Sequence, residues 1–183
     1  MNNFINIVFY QATWFAAVAG AARGWWWAGP LMLAVFAAWQ LWVSNERRAD
    51  LQLMACAAIA GFAIDTACVH GGMFAYSSPV PSPHFAPIWI VALWMSFALT
   101  LNHSLAYLKS HLLLAAILGA IGAPLAYWAA ARGWNALSFA AQPAIALGVL
   151  AIAWAVLAPA LFALARYLVR EDCARPVLRG ALR

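Results

Sequence analysis

Six stretches of this chain, about residues 4–22, 25–43, 51–70, 87–108, 112–131 and 143–169, are apolar for long enough to cross a bilayer. That pattern constrains the fold more than any motif does. A soluble domain averages roughly 25% charged residues, because its surface must be hydrated. Here charged residues are 8% of 183 and apolar residues 67%, too little charge to coat a globule. The expected fold is all-α: a polytopic integral membrane protein, one bundle of about six transmembrane helices over residues 1–183, ending in a basic tail at 170–183. The first stretch lacks the basic start of a secretory signal, so Ala17-Val18-Ala19 is not expected to be a cleavage site.

The flanking charges orient such a bundle. With six spans, one side carries Arg47, Arg48, Lys109, Arg166, Arg170, Arg175, Arg179 and Arg183, while the other carries only Arg23 and Arg132. The positive-inside rule then places both termini in the cytoplasm. Trp25, Trp26 and Trp27 fall at the outer interface and Trp39 and Trp42 at the inner one, as aromatic belts do. The terminal arginines read as a topology and anionic-lipid signal, with no nucleic-acid partner expected.

Polar groups inside apolar runs are costly and mark either packing contacts or a site. In the first span Asn3, Asn6, Tyr10, Thr13, Ala17 and Gly20 share one helical stripe, which should face other helices. Asp65 is the one acid well inside a run, on a face of small residues (Ala58, Gly61, Cys68 and Gly72) that lets a neighbour approach. We expect it to accept a hydrogen bond from Tyr127. In the fourth span Trp89, Ser96, Thr100, His103 and Tyr107 fall within a narrow arc, and Asn102 projects away from it. Depth at 1.5 Å per residue puts Asp65 and Tyr127 about 20–25 Å from the cytoplasmic end and Asn102 with His103 about 8–9 Å from it. Asn6 and Tyr10 are neighbours at the second level, so two polar centres are expected. The connection at 71–86 carries Pro79, Pro81 and Pro83, with Pro87 just beyond, and is extended; it either folds over the outer mouth or serves as a plain connector.

Familiar chemistries do not fit. Four scattered histidines cannot build a di-iron box, and His70 and His103 lie at different depths, unsuited to one haem. Cys56 and Cys68 would lie about 18 Å apart along one helix, too far for a disulfide, and Cys173 is in the tail. Nucleophile-elbow, zinc-protease, P-loop and dinucleotide motifs are all missing from the sequence, and Asp65 has no second deep carboxylate. Neither metal nor cofactor is expected.

Asn6 with Trp14 and Gly20, Gly61 with Asp65, Pro87-x-Trp89, TLNHSL at 100–105 and GAIGAPLAYW at 119–128 carry a resemblance. The chain resembles a bacterial inner-membrane family catalogued as domain of unknown function 2878, over roughly the first five spans. Ala123 stands where that family has a second glycine before the proline. The resemblance implies a small multi-pass protein of the inner (cytoplasmic) membrane with no assigned activity, in the setting of membrane-lipid modification.

Three functions follow as expectations. A lipid-associated or accessory protein, whose partners are membrane lipids, other membrane proteins or copies of itself, accounts for the small packing faces and the absence of a catalytic set. A small transporter would use Asp65 as an intramembrane ionisable site. A lipid-modifying enzyme would use His103 as acid or base with Asn102 orienting it. Asn6, Tyr10, Trp89, Ser96 and Thr100 are the candidate ligand contacts; His103, Asn102, Asp65 and Tyr127 are the candidate reactive set.

Overall fold

The computed structural model describes the backbone of residues 2–180 and the side chains of residues 2–171. Among these are six helices: α1 (Asn2–Ala22), α2 (Ala28–Val43), α3 (Arg47–His70), α4 (Ile88–Ala98), α5 (Leu112–Trp134) and α6 (Pro143–Gly180). The architecture is all-helical, with one small addition. Strands β1 (Phe74–Tyr76) and β2 (Leu137–Phe139) pair antiparallel, Ala75 opposite Ser138. The side chains of Arg175, Arg179 and Arg183, on which the basic-tail expectation rests, lie outside the described residues.

Four helices, α1, α3, α5 and α6 as far as Glu171, are long and apolar enough to cross a membrane. The other two are shorter, 16 residues in α2 and 11 in α4. The expected single helix over 87–108 is therefore corrected. At 1.5 Å per residue α4 spans only about 16 Å, half of a typical hydrocarbon core.

The cause of the break is local. The Ser96 hydroxyl donates to the Leu93 carbonyl at 2.8 Å, and the Thr100 hydroxyl to the Phe97 carbonyl at 2.6 Å. Such side-chain bonds compete with the helical ladder. Beyond Ala98 the amides tighten to carbonyls three residues back, Thr100 to Phe97, Leu101 to Ala98 and His103 to Thr100. A short 3-10 turn, Ala106–Ser110, completes the segment.

Short as it is, α4 sits at the centre, against α1, α2 and α3. It is apolar nearly all round, as an enclosed helix must be, and buries Trp89, Ile90, Ala92, Trp94, Ser96 and Ala98. Small residues set the approach of the others. A Cβ on Gly29 would lie 2.7 Å from that of Ala17, and one on Gly119 would lie 2.8 Å from that of Ala158. The α1 stripe behaves as expected in part: Asn6, Thr13, Ala17 and Gly20 are buried, Tyr10 is half-buried and Asn3 is exposed.

The outer faces of the helices are apolar. Leu113 is 76% exposed, Ile152 71% and Ile59 70%, a surface that water would not tolerate over this extent. Trp25, Trp26 and Trp27 stand exposed just before α2, and Trp42 in its last turn, so exposed indoles mark both ends of that helix.

The 71–87 connection is not a free tether. β1 binds β2, the Ser77 amide bonds the Ala136 carbonyl, and the Ser78 hydroxyl donates to the Ala21 carbonyl at 2.8 Å. The connection thus covers one end of the bundle, tied to the last turn of α1 and to the chain after α5. Asn135, in the left-handed conformation (φ 55°), ends α5 and starts the return strand.

Candidate functional site

Three polar centres and one cleft lie inside the bundle. The first centre is Asp65, fully buried on α3. Its Oδ1 accepts from the Tyr127 hydroxyl at 2.6 Å and from the Tyr76 hydroxyl at 2.8 Å, and its Oδ2 accepts from the Trp94 indole at 2.7 Å. One carboxyl therefore joins α3, α4, α5 and the β1 loop. Gly61, one turn earlier, leaves the room: the Trp94 ring lies on its bare backbone, and a Cβ there would fall 2.1 Å from Trp94 Cγ. Burial, with Asp65 beside it, pushes the Tyr76 hydroxyl well above its ordinary range, so this loop tyrosine remains a donor. The expected Tyr127–Asp65 bond is present; Tyr76 and Trp94 are partners the sequence reading did not include.

A second centre forms around Asp50 in the first turn of α3, just outside the apolar run that holds Asp65, and it is an acid the sequence did not single out. Asp50 is fully buried. Its Oδ2 accepts from the Ser44 hydroxyl at 2.6 Å and lies 2.9 Å from His103 Nε2, and its Oδ1 accepts from Asn102 Nδ2 at 3.0 Å. Lys109 Nζ donates to Asn102 Oδ1 at 3.1 Å. His103 keeps 16% of its side chain exposed, and its Nδ1 makes no hydrogen bond to the described residues. A carboxylate holding one imidazole nitrogen fixes the ring's orientation and leaves the other nitrogen for acid–base work or a ligand.

The expectation that Asn102 and His103 serve different neighbours is also corrected. On a helix consecutive side chains diverge by about 100°. Because the backbone leaves the helix at residue 98, both reach the same carboxylate. The third centre belongs to Asn6, fully buried, whose amide donates to Gln40 at 2.7 Å and to the Leu99 carbonyl at 3.0 Å. The Ser104 hydroxyl donates to Asn6 Oδ1 at 2.5 Å. Asn6 thus neighbours the 99–105 turn as expected, through Ser104 rather than Asn102 or His103.

The remaining candidates divide cleanly. Trp89 is buried and donates to the Ser77 carbonyl at 3.0 Å, anchoring the loop. Ser96 and Thr100 spend their hydroxyls on carbonyls of α4, Leu93 and Phe97. Tyr10 bonds to none of the three polar centres; its ring lies 6.4 Å from Phe97 and it lines the cleft.

That cleft, half-open and about 320 Å³ in volume, lies between α1, α4, α5, α6 and the 105–108 segment. Its walls are aromatic and aliphatic: Tyr10, Trp14, Phe97, Trp154 and Phe162 face Leu105, Leu108 and the small surface of Gly119, Gly122 and Ala123. Trp94 and Trp154 stack at 4.4 Å along one wall, which also makes the wall stiff. Its volume is at the low end of small-molecule sites, which run about 300–1,000 Å³. The small side of the cleft is the run LGAIGA of α5; no sequence signal connected it with Trp154, which comes from a helix thirty residues on.

No curated protein and no solved structure matches the chain. A family model does, over residues 3–160, which includes all three polar centres and every cleft residue except Phe162. A match over that share of the sequence means that the chain belongs to the family described as Protein of unknown function (DUF2878).

Proposed function

We propose that this is a six-span protein of the bacterial inner membrane, both termini cytoplasmic, that holds the apolar chain of a membrane lipid in the aromatic cleft. Support for the topology comes from four long apolar helices with two shorter apolar ones, and from basic residues concentrated on one side. The observation that carries the function is the cleft itself: a stiff, half-open apolar groove in the middle of the bundle, beside no complete catalytic set. In a membrane such a groove is filled by a lipid chain, and the fixed indoles give it shape selectivity. A protein of this kind acts in lipid handling, alone or beside a membrane enzyme.

The test uses Gly122, where an added side chain meets open space. Gly122→Leu should fill the groove without disturbing the helix, since nothing lies within 4 Å of its Cβ position. Native mass spectrometry of the purified protein should detect bound lipid in the wild type and lose it in the variant. Equal lipid occupancy in both would refute the cleft as the site.

A second reading has one specific observation behind it. The Asp50–His103 pair, with His103 Nδ1 unused, suits an enzyme that moves a proton on a lipid. Deletion should then change the lipid profile of the cell, and His103→Ala should fail to restore it. Restoration by that variant would remove the enzymatic reading.

A further inference from the structure

The cleft and the Asp50 centre share one piece of chain. The irregular segment from Leu99 to Ser110 lines the groove with Leu105 and Leu108 and also carries Asn102, His103 and Lys109. Lys109 follows Leu108 directly, so their Cα atoms are about 3.8 Å apart. Non-helical backbone within a bundle is tolerated only where protein buries it or where it lines a cavity, and interrupted helices place binding sites in many membrane proteins.

The same segment carries two side chains, Lys109 and His103, that can be cationic or donate. The Lys109 ammonium has three N–H groups and uses one on Asn102 Oδ1. Arg47 and Arg48 are exposed at the start of α3, on the end of the bundle that carries Asp50. Of the carboxylates at this end, Asp50 is withdrawn, with no exposed surface and already bonded to Ser44, Asn102 and His103, while Glu46, half-buried just before α3, directly precedes Arg47. The Asp50 charge is thus spent on partners within the bundle, and the Lys109 ammonium has N–H groups beyond the one it gives Asn102.

From this juxtaposition we propose that the site takes an anionic amphiphile, a phosphate-bearing lipid whose chain lies in the cleft and whose headgroup rests on Lys109 and His103. The inference rests on the cleft reading and goes beyond it by assigning the headgroup class. Asp50 and Asn102 are positioning residues here, holding the imidazole and the ammonium in place beside the segment that lines the groove. An ammonium–phosphate contact at a partly desolvated site is charge-assisted and favours the anionic lipid by about tenfold or more.

The experiment compares two lipids with the same acyl chain, lysophosphatidylglycerol and uncharged monoacylglycerol, titrated against the purified full chain in neutral detergent and read by native mass spectrometry. The wild type should prefer the anionic lipid by about tenfold. Lys109→Gln keeps a donor for Asn102 Oδ1 and removes the charge, so it should bind both lipids equally, with monoacylglycerol unchanged. Gly122→Leu should lose both. Equal affinities in the wild type, or a preference surviving in Lys109→Gln, would overturn the headgroup assignment while leaving the cleft reading in place. If Gly122→Leu binds both lipids as the wild type does, the cleft reading fails and this inference with it.

Discussion

Gly61→Ala decides, by the sign of its effect, whether the Asp65 clamp is built as described. Helix propensity alone predicts stabilisation, since alanine is better than glycine in a helix interior by about 1 kcal/mol. The structure predicts the reverse. A Cβ on Gly61 would lie 2.1 Å from Trp94 Cγ and 2.3–2.4 Å from Cδ1 and Cδ2, inside the ring's own volume. Trp94 cannot simply swing aside: its indole nitrogen is bonded to Asp65 Oδ2 at 2.7 Å, and its face is stacked on Trp154 at 4.4 Å. Overpacking of this kind costs about 1–3 kcal/mol, and breaking a hydrogen bond to a carboxyl adds about 1.5–3 kcal/mol. After the propensity gain, a net loss of about 1.5–5 kcal/mol is expected. Equilibrium unfolding in mixed micelles, followed by tryptophan fluorescence or circular dichroism, measures it. The cause is isolated by repeating Gly61→Ala in a Trp94→Ala background, where the obstacle is gone and the propensity term should dominate. A Gly61→Ala protein as stable as the wild type, or one whose loss is the same in both backgrounds, would refute the packing described for this pair.

Other substitutions probe the remaining centres. Asp65→Asn leaves one acceptor oxygen where three donors converge, so that in either amide orientation at least one buried donor is left unpaired; a loss of about 2–4 kcal/mol in the same unfolding measurement is expected, and undiminished stability would argue for a carrier's exchange site instead of a structural clamp. Tyr76→Phe removes only one of those donors and should free the loop locally, by about 1–2 kcal/mol, seen as faster amide exchange at Phe74–Tyr76 with little change elsewhere. Asn6→Leu strands Gln40 and the Leu99 carbonyl and should cost about 2–4 kcal/mol; the double variant with Gln40→Leu should recover part of that loss, because fewer buried groups are left unpaired. Asp50→Asn should leave His103 less firmly held, detected as a broadened or shifted imidazole resonance, and an unchanged resonance would contradict the 2.9 Å contact.

Asp65 was legible because an acid inside an apolar run stands out against its surroundings, and Tyr127 because its depth matched. Asp50 was not legible: it follows Arg47 and Arg48 and looks like part of a solvated connection, and only folding shows that the first turn of α3 is turned inward. Trp94 and Tyr76 looked like generic aromatics, one in an apolar run and one in a loop, because distance along the chain says nothing about which rings meet.

The sequence by itself determined the class of protein: long apolar runs with too little charge to coat a globule leave helices in a membrane as the available solution. It also determined which residues must be inside, since Asn6, Asp65 and Asn102 could not be left facing lipid. Only tertiary structure decided their grouping. Periodicity assumes a regular helix, and the fourth run abandons one at residue 98, so Asn102 and His103, a third of a turn apart on paper, close on one carboxylate. The cleft is likewise a property of packing: Gly119 is an ordinary small residue until α6 sets Trp154 beside it.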